Sequence, residues 1–172
     1  MTIATGYPKG SVIVAAFLFL VLASPQALAD GDQNIKQAIE EAVANTSELK
    51  GTDARVAVEG RRVILFGSVR LYLHKMLYEL IAWQTIGVVE VDNEIRVVPQ
   101  APLSDAAIES KIWEIVNIYK EFNVSEMKVT VASGAVSLSG TFGRPQDVII
   151  LKKRVAVIEG VIAINIDVAF MV

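Results

Sequence analysis

Arg62-Val63-Ile64-Leu65-Phe66-Gly67 and, 73 residues further on, Ala135-Val136-Ser137-Leu138-Ser139-Gly140 decide how this chain is read. Each is a short β-prone run ending in glycine. Each follows a second such run across two residues: Arg55-Val56-Ala57-Val58-Glu59 precedes Gly60-Arg61, and Lys128-Val129-Thr130-Val131-Ala132 precedes Ser133-Gly134. Two runs around a two-residue glycine-containing loop predict a β-hairpin. In the second hairpin Thr130, Ser137 and Ser139 fall on one kind of position and the Val and Leu residues on the other, which predicts a sheet with one wet and one dry face.

The same offset holds outward from the hairpins. Ile35 and Ile39 fall on Ile108 and Ile112, Val43 on Val116, and Gly87-Val88 on Gly160-Val161, with no gap. A constant offset over that length is an internal duplication, and each copy is one structural unit. Before the hairpin, Ile35, Ala38, Ile39, Ala42 and Val43 recur at helical spacing after Asp32 or Asn34 as cap; Ile108, Ile112, Ile115, Val116 and Tyr119 do so after Ser104-Asp105. After it, second helices are expected over residues 71–85 and 147–158. Last strands are expected over 88–98 and 161–170, launched from Gly87 and Gly160 at positive φ. The fold class is therefore α+β: two tandem αββαβ units, each a three-stranded mixed sheet with two helices on one face. The units span 34–98 and 104–172, with 99–103 (Pro99-Gln100-Ala101-Pro102-Leu103) as a stiff linker.

Val-x-Leu-x-Gly in the second strand of each unit, followed about twenty residues later by Gly-Val-x-x-Val/Ile (Gly87 to Val91, Gly160 to Ile164), resembles the BON domain. The resemblance covers nearly all of the chain beyond its first thirty or so residues. It implies a periplasmic protein similar to the osmotically inducible tandem-BON proteins, with phospholipid contact and a part in envelope or osmotic-stress tolerance. One stretch departs from that family's pattern: Leu71-Tyr72-Leu73-His74-Lys75-Met76-Leu77-Tyr78-Glu79-Leu80-Ile81-Ala82-Trp83 is bulkier and more aromatic than the small-residue helix usual there.

The N-terminus has the order of a secretory signal over residues 1–29. Lys9 precedes the apolar run Ser11 to Ala23, which is short for a membrane span; the breaker Ser24-Pro25 and Ala27-Leu28-Ala29 follow, with cleavage expected before Asp30. The chain lacks cysteine, which excludes disulfides, thiolate metal sites and a lipid-modified N-terminal Cys. The expected product is a soluble periplasmic protein and not a lipoprotein. With 53% hydrophobic and 20% charged residues the chain folds, and its net charge of -3 with no basic stripe gives no reason to expect nucleic acid.

Catalytic residues do not assemble. His74 is the only histidine and reads as a surface residue; Ser133 and Ser137 have no histidine near them in sequence. Glu40-Glu41 and Asp92 with Glu94 fall on expected wet faces, and Glu59, Asp92, Asn93 and Glu94 offer little to an ion. No glycine arrangement forms a phosphate loop, since Gly60, Gly67, Gly134 and Gly140 are turn and strand-end glycines. No enzyme, cofactor, metal or small-molecule substrate is expected.

Two surfaces are candidates for a ligand. The last helix is apolar on most sides and carries Lys152-Lys153-Arg154, so it either lies against anionic head groups or packs on neighbouring helices. Trp113, on a helix flank with Asn117 and Lys120, suits a membrane interface or the contact between copies. The expected function is an exported envelope binding module that contacts anionic phospholipid through Trp113, Lys120, Lys152, Lys153 and Arg154. The alternative is a protein-protein or chaperone-like module of the periplasm.

Overall fold

The computed structural model describes residues 25–118 and 124–171; the apolar run Ser11 to Ala23 and Lys120 lie outside them. The chain forms α1 (Pro25–Asn45), a 3-10 turn (Ser47–Leu49), β1 (Asp53–Glu59), β2 (Arg62–Val69), α2 (Tyr72–Gln84), β3 (Glu90–Asn93) and β4 (Arg96–Val97). It then forms α3 (Asp105–Ile118), β5 (Val124–Ala132), β6 (Ala135–Phe142), α4 (Pro145–Ala156) and β7 (Ala163–Phe170). In each unit the central strand pairs antiparallel with its hairpin partner and parallel with the last strand. The αββαβ order and the duplication are as the spacing predicts.

Each sheet's apolar side is closed by its two helices. Ile35, Ile39, Val56, Val63, Leu65, Tyr78 and Ala82 make the first core, and Ile108, Ile112, Val129, Val136, Leu138, Leu151 and Val155 the second. Most pairs in these lists are equivalents at the repeat offset, so one packing solution is used twice. Gly87 and Gly160 hold φ of +99° and +101°, as expected at the start of the last strands.

The sequence misplaced four local features. The expected strand over 88–98 is broken into β3 and β4. At the break Ile95 is buried, Lys75 Nζ donates to its carbonyl (2.8 Å), and Asn93 Nδ2 donates to the Lys75 carbonyl (3.1 Å). α2 thus holds the chain at the break through the Ile95 carbonyl and the Asn93 side-chain amide.

The second is the start of α1, which runs back to Pro25, so Asp32 and Asn34 lie inside it and do not cap it. The Asp32 carboxylate instead accepts from the N–H groups of Gly60 (2.7 Å) and Arg61 (2.8 Å). Asp105 does the same with Ser133 (2.7 Å) and Gly134 (2.9 Å). Both residues of each loop have positive φ, including Arg61 (68°) and Ser133 (51°), which makes both turns type I′.

The third is a bulge in β5, where the register jumps between Ser125 and Lys128 and Glu126 takes φ of 53°. The fourth is His74, which is not a surface residue: it is half-buried, and its Nδ1 is enclosed without a hydrogen-bond partner.

Candidate functional site

The aromatic helix α2 belongs to both units. Its inner face, Tyr78 and Ala82, completes the first core, while Tyr72, Leu73 and Met76 pack against the second. The bulk that sets this helix apart therefore forms the contact between copies. Burial raises the Tyr72 pKa above the usual phenol value, and the backbone of Ile164 beside the hydroxyl opposes that rise. Just before α2, Arg70 pairs with Glu159 (Nε to Oε2, 3.3 Å), which follows α4. Glu159 Oε1 also accepts from the linker N–H of Gln100 (2.9 Å). The N-terminal end of α2 is thus fastened to the C-terminal end of α4.

Between them lies a cleft of about 440 Å³ that runs along α2 from Tyr72 to Trp83. Its walls are Met76, Leu77, Leu80 and Trp83 from α2 and Ile149, Lys152 and Lys153 from α4. Three apolar side chains at its mouth are largely exposed: Trp83 (53%), Leu80 (46%) and Ile149 (55%). Apolar side chains held open beside two ammonium groups are what an anionic amphiphilic surface complements.

The sequence candidates are not all brought together. Lys152 and Lys153 share this cleft, but Arg154 points round α4 into a second groove lined by Lys111, Ile115, Ile118 and Val157. One residue advances a helix by about 100°, so a run of three basic residues cannot occupy one face. Trp113 is half-buried against the core of its own unit and lines neither of these two grooves. Trp83 and Leu80 were missed. The excess bulk of α2 was the available signal, since a helix with more apolar surface than one small sheet covers must present some of it elsewhere.

Around His74, the lining of a second, polar hollow brings Glu48, Lys50, Asp53 and Arg70 together. Burial and the neighbouring Arg70 charge lower the His74 pKa below 6.5. Among the described residues no group of three or more metal-ligating side chains occurs. No helix among the described residues is long and apolar enough to cross a membrane.

No curated protein matches the chain. Among solved structures, the C-terminal domain of CdsD, the structural protein of the type III secretion system of Chlamydia trachomatis, is similar at 12% identity and a TM-score of 0.35. That match covers 82% of this chain and 67% of the other. A second CdsD structure from the same organism has 12% identity and a TM-score of 0.33, covering 81% of this chain and 63% of that one. Likenesses this distant bear on neither fold nor function. The model of the BON domain matches twice, over residues 31–99 and 104–169, each match containing one helix-hairpin-helix-strand unit with its Val-x-Leu-x-Gly strand and positive-φ glycine. By these two matches and the geometry they enclose, the chain belongs to the BON domain family, as a tandem member.

Proposed function

We propose that this protein is an exported envelope binding module that attaches to anionic phospholipid surfaces and so supports envelope or osmotic-stress tolerance. The family is one of non-catalytic, envelope-associated binding modules, and the reading rests on that membership together with one observation. Trp83, Leu80 and Ile149 stand exposed at the mouth of a cleft that Lys152 and Lys153 also line. A lysine near an anionic surface contributes on the order of 1 kcal/mol, within a Debye length of about 8 Å at physiological salt. Burying the exposed part of an indole and two aliphatic side chains adds an apolar contribution that salt does not screen. Export, with cleavage before Asp30, places the protein where such surfaces are found; the core residues of α1 from Ile35 onward are retained by that cut.

Flotation on vesicles of rising anionic content, at low and physiological salt, tests the proposal. Wild type is expected to float with anionic vesicles and to be weakened by salt. Replacing Lys152, Lys153 and Arg154 by Gln is expected to remove most of the salt-sensitive part, with Lys152 and Lys153 dominant. Trp83→Ala is expected to weaken binding at both salts alike. Trp113→Ala and Lys120→Gln measure whether these two residues add to the contact. Equal flotation on neutral and anionic vesicles at low salt would defeat the proposal and leave a protein partner as the reading.

A further inference from the structure

We propose that β7 is a self-pairing edge: two copies of this chain join their β7 strands antiparallel about a two-fold axis at Ile166, merging the two three-stranded sheets of their second units into one. A sheet edge presents unpaired N–H and C=O groups to any strand that fits, and proteins blunt such edges with charges, breaks or bulges. Three of the edges here are blunted. β1 carries Asp53, Arg55 and Glu59 along its length. The other edge of that sheet is broken between β3 and β4, with Lys75 Nζ on the Ile95 carbonyl. β5 is bulged at Glu126. β7 has none of these devices: its eight residues pair with β6 without a register shift, it contains no proline, and Asp167 is its only charge. Among the described residues no strand pairs with its outer side.

The sequence of β7 selects a second copy as the occupant and fixes the register. With Ile166 opposite its own counterpart, Ile164 faces Val168, Ala163 faces Ala169 and Asn165 faces Asp167, each pair occurring twice. Each carboxylate then meets an amide that donates to it. An axis at Asp167 would set two carboxylates against each other, and one at Asn165 would leave Asp167 opposite Ala163. A shift by a single residue would set dry-face side chains against wet-face ones. The Ile166 register also brings Ile162 (40% exposed) opposite Phe170 (44% exposed) at both ends of the pair. These two residues alternate onto the dry side with Ile164, Ile166 and Val168, and Ile166 and Val168 are only half-buried where the helices stop covering the edge. Residues opposite each other in such a pair point to the same face, so the dry faces of the two copies join and cover one another's margin.

Sedimentation velocity of the protein as the cell makes it, at rising concentration, is expected to show a reversible equilibrium between monomer and dimer, since an interface one strand wide is small. Asn165→Asp sets carboxylate against carboxylate twice and is expected to weaken the dimer on the order of tenfold. Adding Asp167→Asn to the same chain exchanges the two residues and is expected to restore it, because every amide again faces a carboxylate. Both positions are exposed, and circular dichroism checks that each variant folds. The chain has no cysteine, so a mixture of Ala163→Cys and Ala169→Cys chains is expected to cross-link on oxidation. Neither variant is expected to cross-link with itself, because in this register a residue at 163 or 169 lies roughly 20 Å from its own counterpart, beyond the reach of a disulfide. A dimer indifferent to Asn165→Asp, a folded double variant that fails to regain it, or self-cross-linking of Ala163→Cys would overturn the pairing. A chain monomeric at every concentration would overturn it too and leave the β7 edge to an extended segment of a different protein.

Discussion

Gly67 and Gly140 occupy equivalent places near the ends of the two central strands, yet alanine is expected to be tolerated far better at the second. Both have positive φ, +105° and +156°, so an L-residue pays about 1–2 kcal/mol in either place. They differ in what a Cβ would strike. At Gly67 it would stand 2.3 Å from the Asp53 carbonyl oxygen and 3.1 Å from the Ala54 Cα; at Gly140 the nearest atoms are the Met127 Cα at 3.1 Å and the Ser125 oxygen at 3.2 Å. The bulge at Glu126 is the cause, since the extra residue lifts the partner backbone off the glycine. In the first unit β1 must move instead. It is an edge strand and can give way, which puts the overpacking penalty near 2 kcal/mol within the usual range of about 1–3 kcal/mol. Gly67→Ala is thus expected to cost about 3–4 kcal/mol and Gly140→Ala about 1–2 kcal/mol. Urea unfolding followed by tryptophan emission separates the units, because Trp83 lies in the first and Trp113 in the second. Equal losses of stability, or the larger loss at Gly140, would refute the role given to the bulge.

Asp105→Ala and Asp32→Ala are each expected to destabilise their own unit by about 1–2 kcal/mol, because each carboxylate accepts from both N–H groups of a type I′ turn; a change in urea midpoint confined to the other unit would count against it. Acidification is expected to lower stability as pH falls through 6.5, since the unfolded chain then protonates His74 while the folded state, with Nδ1 enclosed and Arg70 beside it, resists. The loss should level off below the folded pKa, and His74→Gln should flatten the urea midpoint between pH 7.5 and 5.5. Glu48, held below 4.5 chiefly by the Ser47 hydroxyl, titrates under that window and does not mimic it. Glu159→Gln is expected to cost less than 1 kcal/mol, because the Arg70 pair is partly exposed and the amide oxygen still accepts from Gln100; Glu159→Ala loses both contacts and should speed proteolysis within Pro99–Leu103, which a timed digest would show.

The parts of this fold that are decided within a few residues were legible, and the parts that depend on distant segments were not. Alternation in Val63-Ile64-Leu65 and Val136-Ser137-Leu138 encodes strand and dry face directly, because each buried position is decided within a few residues of itself. The positive φ of Gly87 and Gly160 was legible for the same local reason. Asp32 was misread because a first-turn Asp near a helix start ordinarily caps it; only the approach of the hairpin, 28 residues on, reveals the better use of its carboxylate. The break at Ile95 and the enclosure of His74 both come from α2 leaning on distant segments, which periodicity does not encode. The candidate site was half legible: Lys152 and Lys153 could be named from sequence, but their apolar partners lie on the other unit.

Duplication explains the cores, while divergence explains the cleft. Had the copies stayed alike, each second helix would offer its neighbour the same surface, and contact between units could continue from copy to copy. The equivalents of Tyr72, Leu73 and Trp83 in α4 are Pro145, Gln146 and Ala156, so α4 lacks the ring-bearing face by which α2 joins the second unit. The equivalent of Glu159 is Ile86, which is 95% exposed and pairs with nothing like Arg70, whose own equivalent is Gly143. The contact is therefore one-sided. Along it, exposed Trp83, Leu80 and Ile149 line a cleft together with Lys152 and Lys153. The aromatic and apolar side chains of α2 thus do two jobs at once: Tyr72, Leu73 and Met76 tie the units together, and Leu80 and Trp83 line the cleft beside them.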